Sequence, residues 1–129
     1  MNKEEINKLS GIILDSAIEV HKILGPGLLE SVYEICLCKE LDLRKIRYRR
    51  QVSLPIEYKG EKLDADYRID ILVENEIIIE LKSVEILHPI FETQLLTYLK
   101  LADKKLGLLI NFNVPKLIDG FKRMINGYF

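Results

Sequence analysis

Residues 66–82 read DYRIDILVENEIIIELK, two apolar runs joined by a short polar turn. If the two runs form a hairpin about Asn75, Asp70 lies directly opposite Glu80 on the same face of the sheet. Opposed like charges weaken a sheet, because the Cβ atoms are only about 4.5–5.5 Å apart. A divalent cation between them would turn the repulsion into attraction, and Mg²⁺ prefers hard oxygen ligands of this kind. The segment therefore predicts a β-hairpin that carries a metal site.

The same strand pattern leaves a second interpretation open. Alternation places positions 69, 71 and 73 on the face opposite Asp70. On spacing alone, however, Asp70 and Glu80 could also be solvent-facing residues that Arg68 and Lys82 neutralise.

Hydrophobic periodicity along the rest of the chain predicts eight elements in the order α-α-β-β-β-α-β-α, within one domain at 1–129. Predicted helices cover 3–24, 28–41, 89–102 and a last segment from Pro115, and predicted strands cover 47–58, 62–73, 77–84 and 106–112. The strand–helix–strand unit from 77 to 112 should place its two strands parallel to each other. We therefore expect an α+β (mixed α/β) fold, in which an antiparallel three-stranded meander is extended by a parallel strand and flanked by helices.

The composition of the 129 residues excludes several classes of protein. No apolar run approaches the roughly 18 residues needed to span a membrane, and the first ten residues lack the apolar core of a signal peptide. We therefore expect a cytoplasmic protein that does not bind membranes. Cys36 and Cys38 are two apart on a predicted helix, so they do not face each other. Because His21 and His88 are isolated from them, a zinc site is not expected.

Five cations lie within seven positions, although the formal net charge of the chain is only −1. They are Arg44, Lys45, Arg47, Arg49 and Arg50. The cluster is equally compatible with a solvated edge strand, which charges protect from aggregation, and with a patch that contacts phosphate groups.

Five short motifs occur in an order that resembles the GxxExxY proteins, a branch of the PD-(D/E)XK nuclease-like superfamily. They are GLLESVY at 27–33, RID at 68–70, ELK at 80–82, Gln94 with Tyr98, and LINF at 109–112. The resemblance extends from about residue 10 to residue 125 and implies a restriction-endonuclease-like core. One departure is Ile69, which stands where the name of the superfamily has proline.

The resemblance implies a role for each of several residues. Asp70 and Glu80 resemble the metal-binding carboxylates of the family, assisted by the backbone carbonyl of Leu81. Lys82 resembles the residue that orients or activates the attacking water and balances charge. Three helix-borne residues resemble those that complete or support the site: Glu30, Gln94 and Tyr98.

Each helix-borne residue also has a structural interpretation. Glu30 suits the first turn of a helix, where the macrodipole favours acidic residues. Gln94 and Tyr98 are four apart and could form a hydrogen-bonded pair at the boundary of the core. Tyr33, three residues after Glu30, is expected on the same helix face as Glu30.

These features together predict a Mg²⁺- or Mn²⁺-dependent nuclease that hydrolyses phosphodiester bonds in nucleic acid, with DNA expected as the substrate over RNA. The alternative is a catalytically inactive module of the same fold that binds nucleic acid or a protein partner. A domain of this size offers little surface for gripping a duplex, which makes a homodimer a reasonable expectation. The chain contains no glycine-rich phosphate loop of the GxxxxGK[ST] type, which argues against a nucleotide-hydrolysing enzyme of that class.

Overall fold

The computed structural model describes residues 1–129 as three α-helices and a five-stranded sheet. The helices are α1 (Lys3–Leu24), α2 (Glu30–Leu43) and α3 (Ile90–Ala102). The strands are β1 (Tyr48–Tyr58), β2 (Glu61–Val73), β3 (Ile77–Lys82), β4 (Leu106–Asn111) and β5 (Phe121–Ile125), and a 3₁₀ turn at Leu117–Gly120 precedes β5. None of the helices is long and apolar enough to cross a membrane.

The sheet follows chain order, β1-β2-β3-β4-β5. Every neighbouring pair is antiparallel except β3 and β4, which run parallel and are connected through α3. This topology confirms the predicted α+β class, with an antiparallel meander extended by a parallel strand, and it is consistent with a restriction-endonuclease-like core.

Two apolar layers enclose the sheet. Helices α1 and α2 pack on one face through residues such as Ile13 and Leu37, and α3 packs on the other through Leu95 and Leu99. Strand β3 begins with three isoleucines at 77–79 that are all fully buried, so it lies between the two apolar layers and contributes side chains to both. Burying one such side chain contributes about 1.5–3 kcal/mol. The strand that carries Glu80 is therefore anchored in the most apolar part of the molecule.

The predicted last helix is wrong. The chain after Pro115 forms only the 3₁₀ turn and then β5, which pairs with the free edge of β4 from Leu106–Ile125 to Ile110–Phe121. Residues that were expected on one buried helix face, including Ile118 and Ile125, are exposed. Because the backbone groups of the fully buried β4 need hydrogen-bond partners, pairing with a fifth strand prevails over helical periodicity.

The predicted alternation of faces along β2 holds only after Asp70, from Ile71 to Val73. Ile71 and Val73 pack beneath α1 and α2, as one face of a strand should. Ile69 packs instead with the cluster under α3, on the same side as Leu72. The strand therefore changes its phase at Asp70, and the residues before that point are presented to the opposite face from the one expected.

Candidate active site

The hairpin of β2 and β3 brings Asp70 and Glu80 to the same end of the sheet. Its ladder follows the predicted register about Asn75 and ends at the rung that joins Ile71 to Ile79. Asp70 and Glu80 are the next residues on the two strands, just beyond the last backbone pair. Asp70 and Glu80 therefore lie where the backbone pairing between β2 and β3 ends.

Asp70 caps the open end of this ladder with its side chain. Its Oδ2 accepts a hydrogen bond from the backbone amide of Leu81 over 2.8 Å. The amide and the carbonyl of one strand residue point to the same edge of the strand. The carbonyl of Leu81 is consequently directed to the same side as Asp70, as its predicted role as an oxygen ligand requires.

Glu80 is the most unusual carboxylate in the molecule. It is only 8% exposed, and its Oε1 is the one buried side-chain polar atom without a hydrogen-bond partner. Burial raises the pKa of Glu80 to about 10, the negative charge of Asp70 adds to this, and Lys82 opposes it. A buried oxygen left unpartnered costs about 1–3 kcal/mol, so the fold maintains it against a penalty.

Lys82 ends β3 next to these carboxylates. Its Nζ lies 4.3 Å from the centre of the Phe91 ring, in the first turn of α3. The cation–π contact holds the ammonium group at the edge of the site, while the aliphatic stem remains half-buried. Lys82 is thus close enough to Glu80 to lower the pKa of that carboxyl group, although burial dominates.

The loop after Lys82 is fixed by side chains from two other elements. The Ser83 hydroxyl donates to the carbonyl of Leu28 over 2.6 Å, which links the end of β3 to the start of α2. Asn111 on β4 accepts from the amide of Val84 and donates to its carbonyl. Asn111, part of the LINF motif, therefore holds the loop rather than taking part in the chemistry directly.

Glu30 is the first residue of α2 and is exposed to solvent. It shares a cleft of about 310 Å³ with Asp70, so the structure brings these two predicted residues to a common surface. The residues that line the cleft are Glu30, Ser31, Glu34, Arg50, Gln51, Asp70 and Leu81.

The donor set at this site suits a hard cation, although it is small. No group of three or more His, Cys, Asp or Glu side chains in the protein is arranged to hold a metal ion. The candidate ligands are therefore two carboxylates, Asp70 and Glu80, together with the carbonyl of Leu81. All are oxygen donors, which Mg²⁺ and Mn²⁺ prefer. The unpartnered Oε1 of Glu80 is the feature of the fold that such an ion would satisfy.

The two predicted residues on α3 have different environments. Tyr98 is buried, and burial raises the pKa of its phenol, with the charge of Glu80 as the next cause. Its ring also meets the Tyr67 ring edge-on at 6.3 Å. Gln94 is exposed and makes no side-chain hydrogen bond within the protein. The structure thus brings Tyr98 next to the carboxylates and leaves the Gln94 amide free, so the two do not form the hydrogen-bonded pair considered from sequence.

Tyr33 does not share the exposed face of Glu30, and that expectation is wrong. It is fully buried and stacks on the Phe112 ring, with the ring centres 4.4 Å apart. Its hydroxyl donates to the carbonyl of Gly25 over 2.6 Å and accepts from the amide of Leu28. Tyr33 therefore fastens the turn that leads into α2, and it influences the site only by fixing where Glu30 begins the helix.

The basic cluster is divided among several carboxylate partners. Arg44 pairs with Glu40, Arg47 with Glu74, and Arg50 with Glu34. Arg47 and Arg49 line a surface pocket beside Glu74 and Asn75, whereas Arg50 faces the cleft that contains Asp70. The cluster is therefore not one continuous phosphate-binding patch.

Sequence reasoning gave no site role to three residues that line the cleft: Ser31, Glu34 and Gln51. It considered Arg50 only as a member of the basic cluster. Glu34 is one helical turn after Glu30, and residues four apart lie on the same helix face. That spacing is the signal that could have identified Glu34. Nothing in the sequence indicates that Gln51 departs from extended backbone.

Comparison with known proteins identifies the family of this chain. Residues 7–124 match a family described as the PD-(D/E)XK nuclease superfamily. No curated protein and no solved structure matches the chain. The family match covers most of the chain, including the strands that carry Asp70, Glu80 and Lys82. This chain belongs to the PD-(D/E)XK nuclease superfamily.

Proposed function

We propose that this protein is a Mg²⁺- or Mn²⁺-dependent nuclease that hydrolyses phosphodiester bonds in nucleic acid, with DNA rather than RNA as the expected substrate. The observation that carries the proposal is the buried and unpartnered Oε1 of Glu80 beside Asp70. A polar atom buried without a partner needs an explanation, and an ion absent from the polypeptide is one. Membership of a nuclease superfamily supports the same reaction class.

Asp70, Glu80 and the carbonyl of Leu81 would hold the metal ion. When bound, a divalent cation lowers the pKa of a water ligand and polarises the phosphate. Glu30, Asp70 and Glu80 carry three negative charges when ionised, against one positive charge on Lys82. A dication brings this formal sum to zero, which explains why the site combines so many carboxylates with one lysine.

The remaining predicted residues act around that centre. The Lys82 ammonium group orients the attacking water by donating hydrogen bonds and balances charge that develops on the phosphoryl oxygens. Glu30 accepts a hydrogen bond from water at the open side of the cleft. Tyr98 packs close to Glu80 and restricts the position of its carboxyl group, and the exposed Gln94 amide on the same helix is available to bind a substrate oxygen or base.

Cleavage of nucleic acid is the direct test of this proposal. Supercoiled, linear and branched DNA, and RNA of matched length, are incubated with the protein in Mg²⁺ or Mn²⁺. The Asp70→Asn variant is expected to cleave more than about 100-fold more slowly, because losing a metal ligand costs at least as much as losing its supporting residues. The matched control is Asp64→Asn, an exposed aspartate on the same strand but outside the cleft. Cleavage that persists equally in Asp70→Asn would overturn the assignment.

A second candidate function is a catalytically inactive module that binds nucleic acid or a protein partner. The observation that favours it is that no three ligating side chains converge on one point. It predicts no saturable Mn²⁺ binding by calorimetry, while Arg47→Ala or Arg49→Ala still weakens binding of the partner. Carboxylate-dependent binding of Mn²⁺ would count against it.

A cytoplasmic location and a homodimeric assembly are two further predictions. Cell fractionation tests the location, and sedimentation tests the assembly.

A further inference from the structure

One rung of the β1–β2 ladder differs from its neighbours. Arg50 pairs with Ile71 and Val52 pairs with Ile69, but Gln51 and Asp70 between them do not pair. Gln51 has a φ of 49°, in the left-handed region that side chains other than glycine rarely adopt. Such a residue costs of order 1–3 kcal/mol and persists only where its surroundings hold it. The strained residue therefore lies directly across the ladder from a proposed metal ligand.

Both strands change faces at this rung. Tyr48 on β1 and Val73 on β2 pack on the side of α1 and α2. Val52 on β1 and Ile69 on β2 pack on the side of α3. The left-handed conformation of Gln51 lets the part of the β1–β2 hairpin beyond this rung pack over α3. Asp70 lies at the point where the strands change faces. Because it is released from the ladder there, its carboxylate reaches across to the amide of Leu81.

Glu34 binds the side chains of Gln51 and of its neighbour Arg50. One oxygen of its carboxylate accepts from the side-chain amide of Gln51 over 2.8 Å. The other oxygen accepts from Nε and Nη2 of Arg50, over 2.9 and 2.7 Å. With both oxygens engaged by β1, Glu34 is not a ligand for a metal, although it lines the same cleft as Asp70.

We propose that Glu34 is a positioning residue for the metal site, which acts through Gln51 on Asp70. The inference rests on the proposed function, because the position that it fixes is that of a metal-binding carboxylate. Glu34 holds the left-handed residue, the left-handed residue interrupts the ladder, and the interruption places the Asp70 carboxylate between β2 and β3. A residue that served only to bury the helix α2 would have no effect on the Asp70–Leu81 hydrogen bond.

A double-mutant cycle tests this coupling, since glycine adopts positive φ without being held. Glu34→Ala is expected to weaken Mn²⁺ binding, measured by calorimetry, at least tenfold in the native background. In a Gln51→Gly background the same substitution should weaken it less than threefold. Glu34→Gln keeps one acceptor oxygen and should fall between these values, which covers the case in which the alanine variant folds poorly. Gln51→Val, with a β-branched residue that resists positive φ, should lose Mn²⁺ affinity as strongly as Glu34→Ala does.

Hydrogen exchange of the Leu81 amide supplies a readout that needs no metal. If the hydrogen bond from the Leu81 amide to Asp70 is lost in Glu34→Ala, exchange of that amide should become about tenfold faster or more. The matched control is Glu40→Ala, which removes the other glutamate of α2 that pairs with an arginine; Glu40 is half-buried and does not line the cleft. Unchanged Leu81 exchange in Glu34→Ala, or an equal effect of Glu34→Ala in both backgrounds, would overturn the inference. If the native protein binds no Mn²⁺ but Leu81 exchange still responds, the metal proposal fails and the positioning role of Glu34 stands.

Discussion

The protein buries two glutamates to nearly the same degree and gives them opposite surroundings. Glu34 is 6% exposed, and both of its oxygens accept hydrogen bonds from Arg50 and Gln51. Glu80 is 8% exposed, one of its oxygens has no partner, and its nearest charged neighbours include Asp70. Burial alone therefore does not distinguish a carboxylate that supports the fold from one that serves chemistry.

The two carboxylates differ in whether the polypeptide supplies hydrogen-bond partners for both oxygens. Glu34 is complete within the polypeptide, so its contribution is to hold β1 against α2. Glu80 lacks a positive partner at the distance of a hydrogen bond, and its ionised form is disfavoured in the free protein. Ionising such a group destabilises the fold, and a carboxyl group perturbed in this way is a common feature of functional positions.

The sharpest way to separate the two glutamates is to neutralise Glu80 without changing its shape. Glu80→Gln should reduce Mn²⁺ affinity and cleavage more than about 100-fold, because a proposed ligand is lost. The free energy of unfolding of the metal-free variant should stay within about 1 kcal/mol of the native value, since the carboxyl group it replaces is already uncharged there. Calorimetry and urea unfolding measure the two quantities. Native Mn²⁺ affinity in this variant would remove Glu80 from the site.

The second prediction concerns the dependence of stability on pH without metal. Folding raises the pKa of Glu80 from 4.5 to about 10, so the native state binds this proton more tightly than the unfolded chain. Stability from this group is fully present below 4.5 and is lost as the pH rises toward about 10. Within that window one proton gives a slope of up to about 1.4 kcal/mol per pH unit. Urea unfolding in a chelator measures this slope, and Glu80→Gln should remove it.

Mn²⁺ should reverse this trend, because a ligand carboxylate must lose its proton to bind. Affinity for the metal is therefore expected to rise with pH over the same window, with release of a proton that calorimetry in two buffers detects. A metal-free slope that persists unchanged in Glu80→Gln would assign the titration to another group.

Much of the fold was predictable because it depends on local pattern. The hairpin about Asn75, the three buried isoleucines that begin β3, and the crossover through α3 all follow from periodicity and turn residues. The last element was not predictable in this way. Its sequence suits a helix, and only the open edge of β4 converts residues 121–125 into a strand.

In the candidate site, too, the features set by local pattern were predictable and those set by long-range packing were not. The register that brings Asp70, Glu80 and Leu81 to the same end of β2 and β3 was predicted, because the turn about Asn75 sets it. Their roles as metal ligands stay a prediction. Glu34 and Gln51 were missed, because their roles arise from a left-handed residue that no local propensity favours at glutamine. A change of phase imposed by packing between distant elements leaves no mark on the sequence of either strand.

The smallest expected effects compare Glu34 with Glu74, a half-buried carboxylate whose arginine partner is exposed. Arg47 donates to Glu74 through its backbone amide and its side chain, and these bonds lower the pKa of that carboxyl group. The Arg47 side chain is nonetheless 90% exposed, so Arg47→Ala should change the free energy of unfolding by no more than about 0.5 kcal/mol. Arg50→Ala should cost about 1–2 kcal/mol, because it leaves an oxygen of buried Glu34 without its donors, while the 43% exposure of Arg50 lets water recover part of the loss. Equal costs for the two variants in urea unfolding would mean that the Glu34 carboxylate depends on its arginine no more than Glu74 does, and its contrast with Glu80 would then disappear.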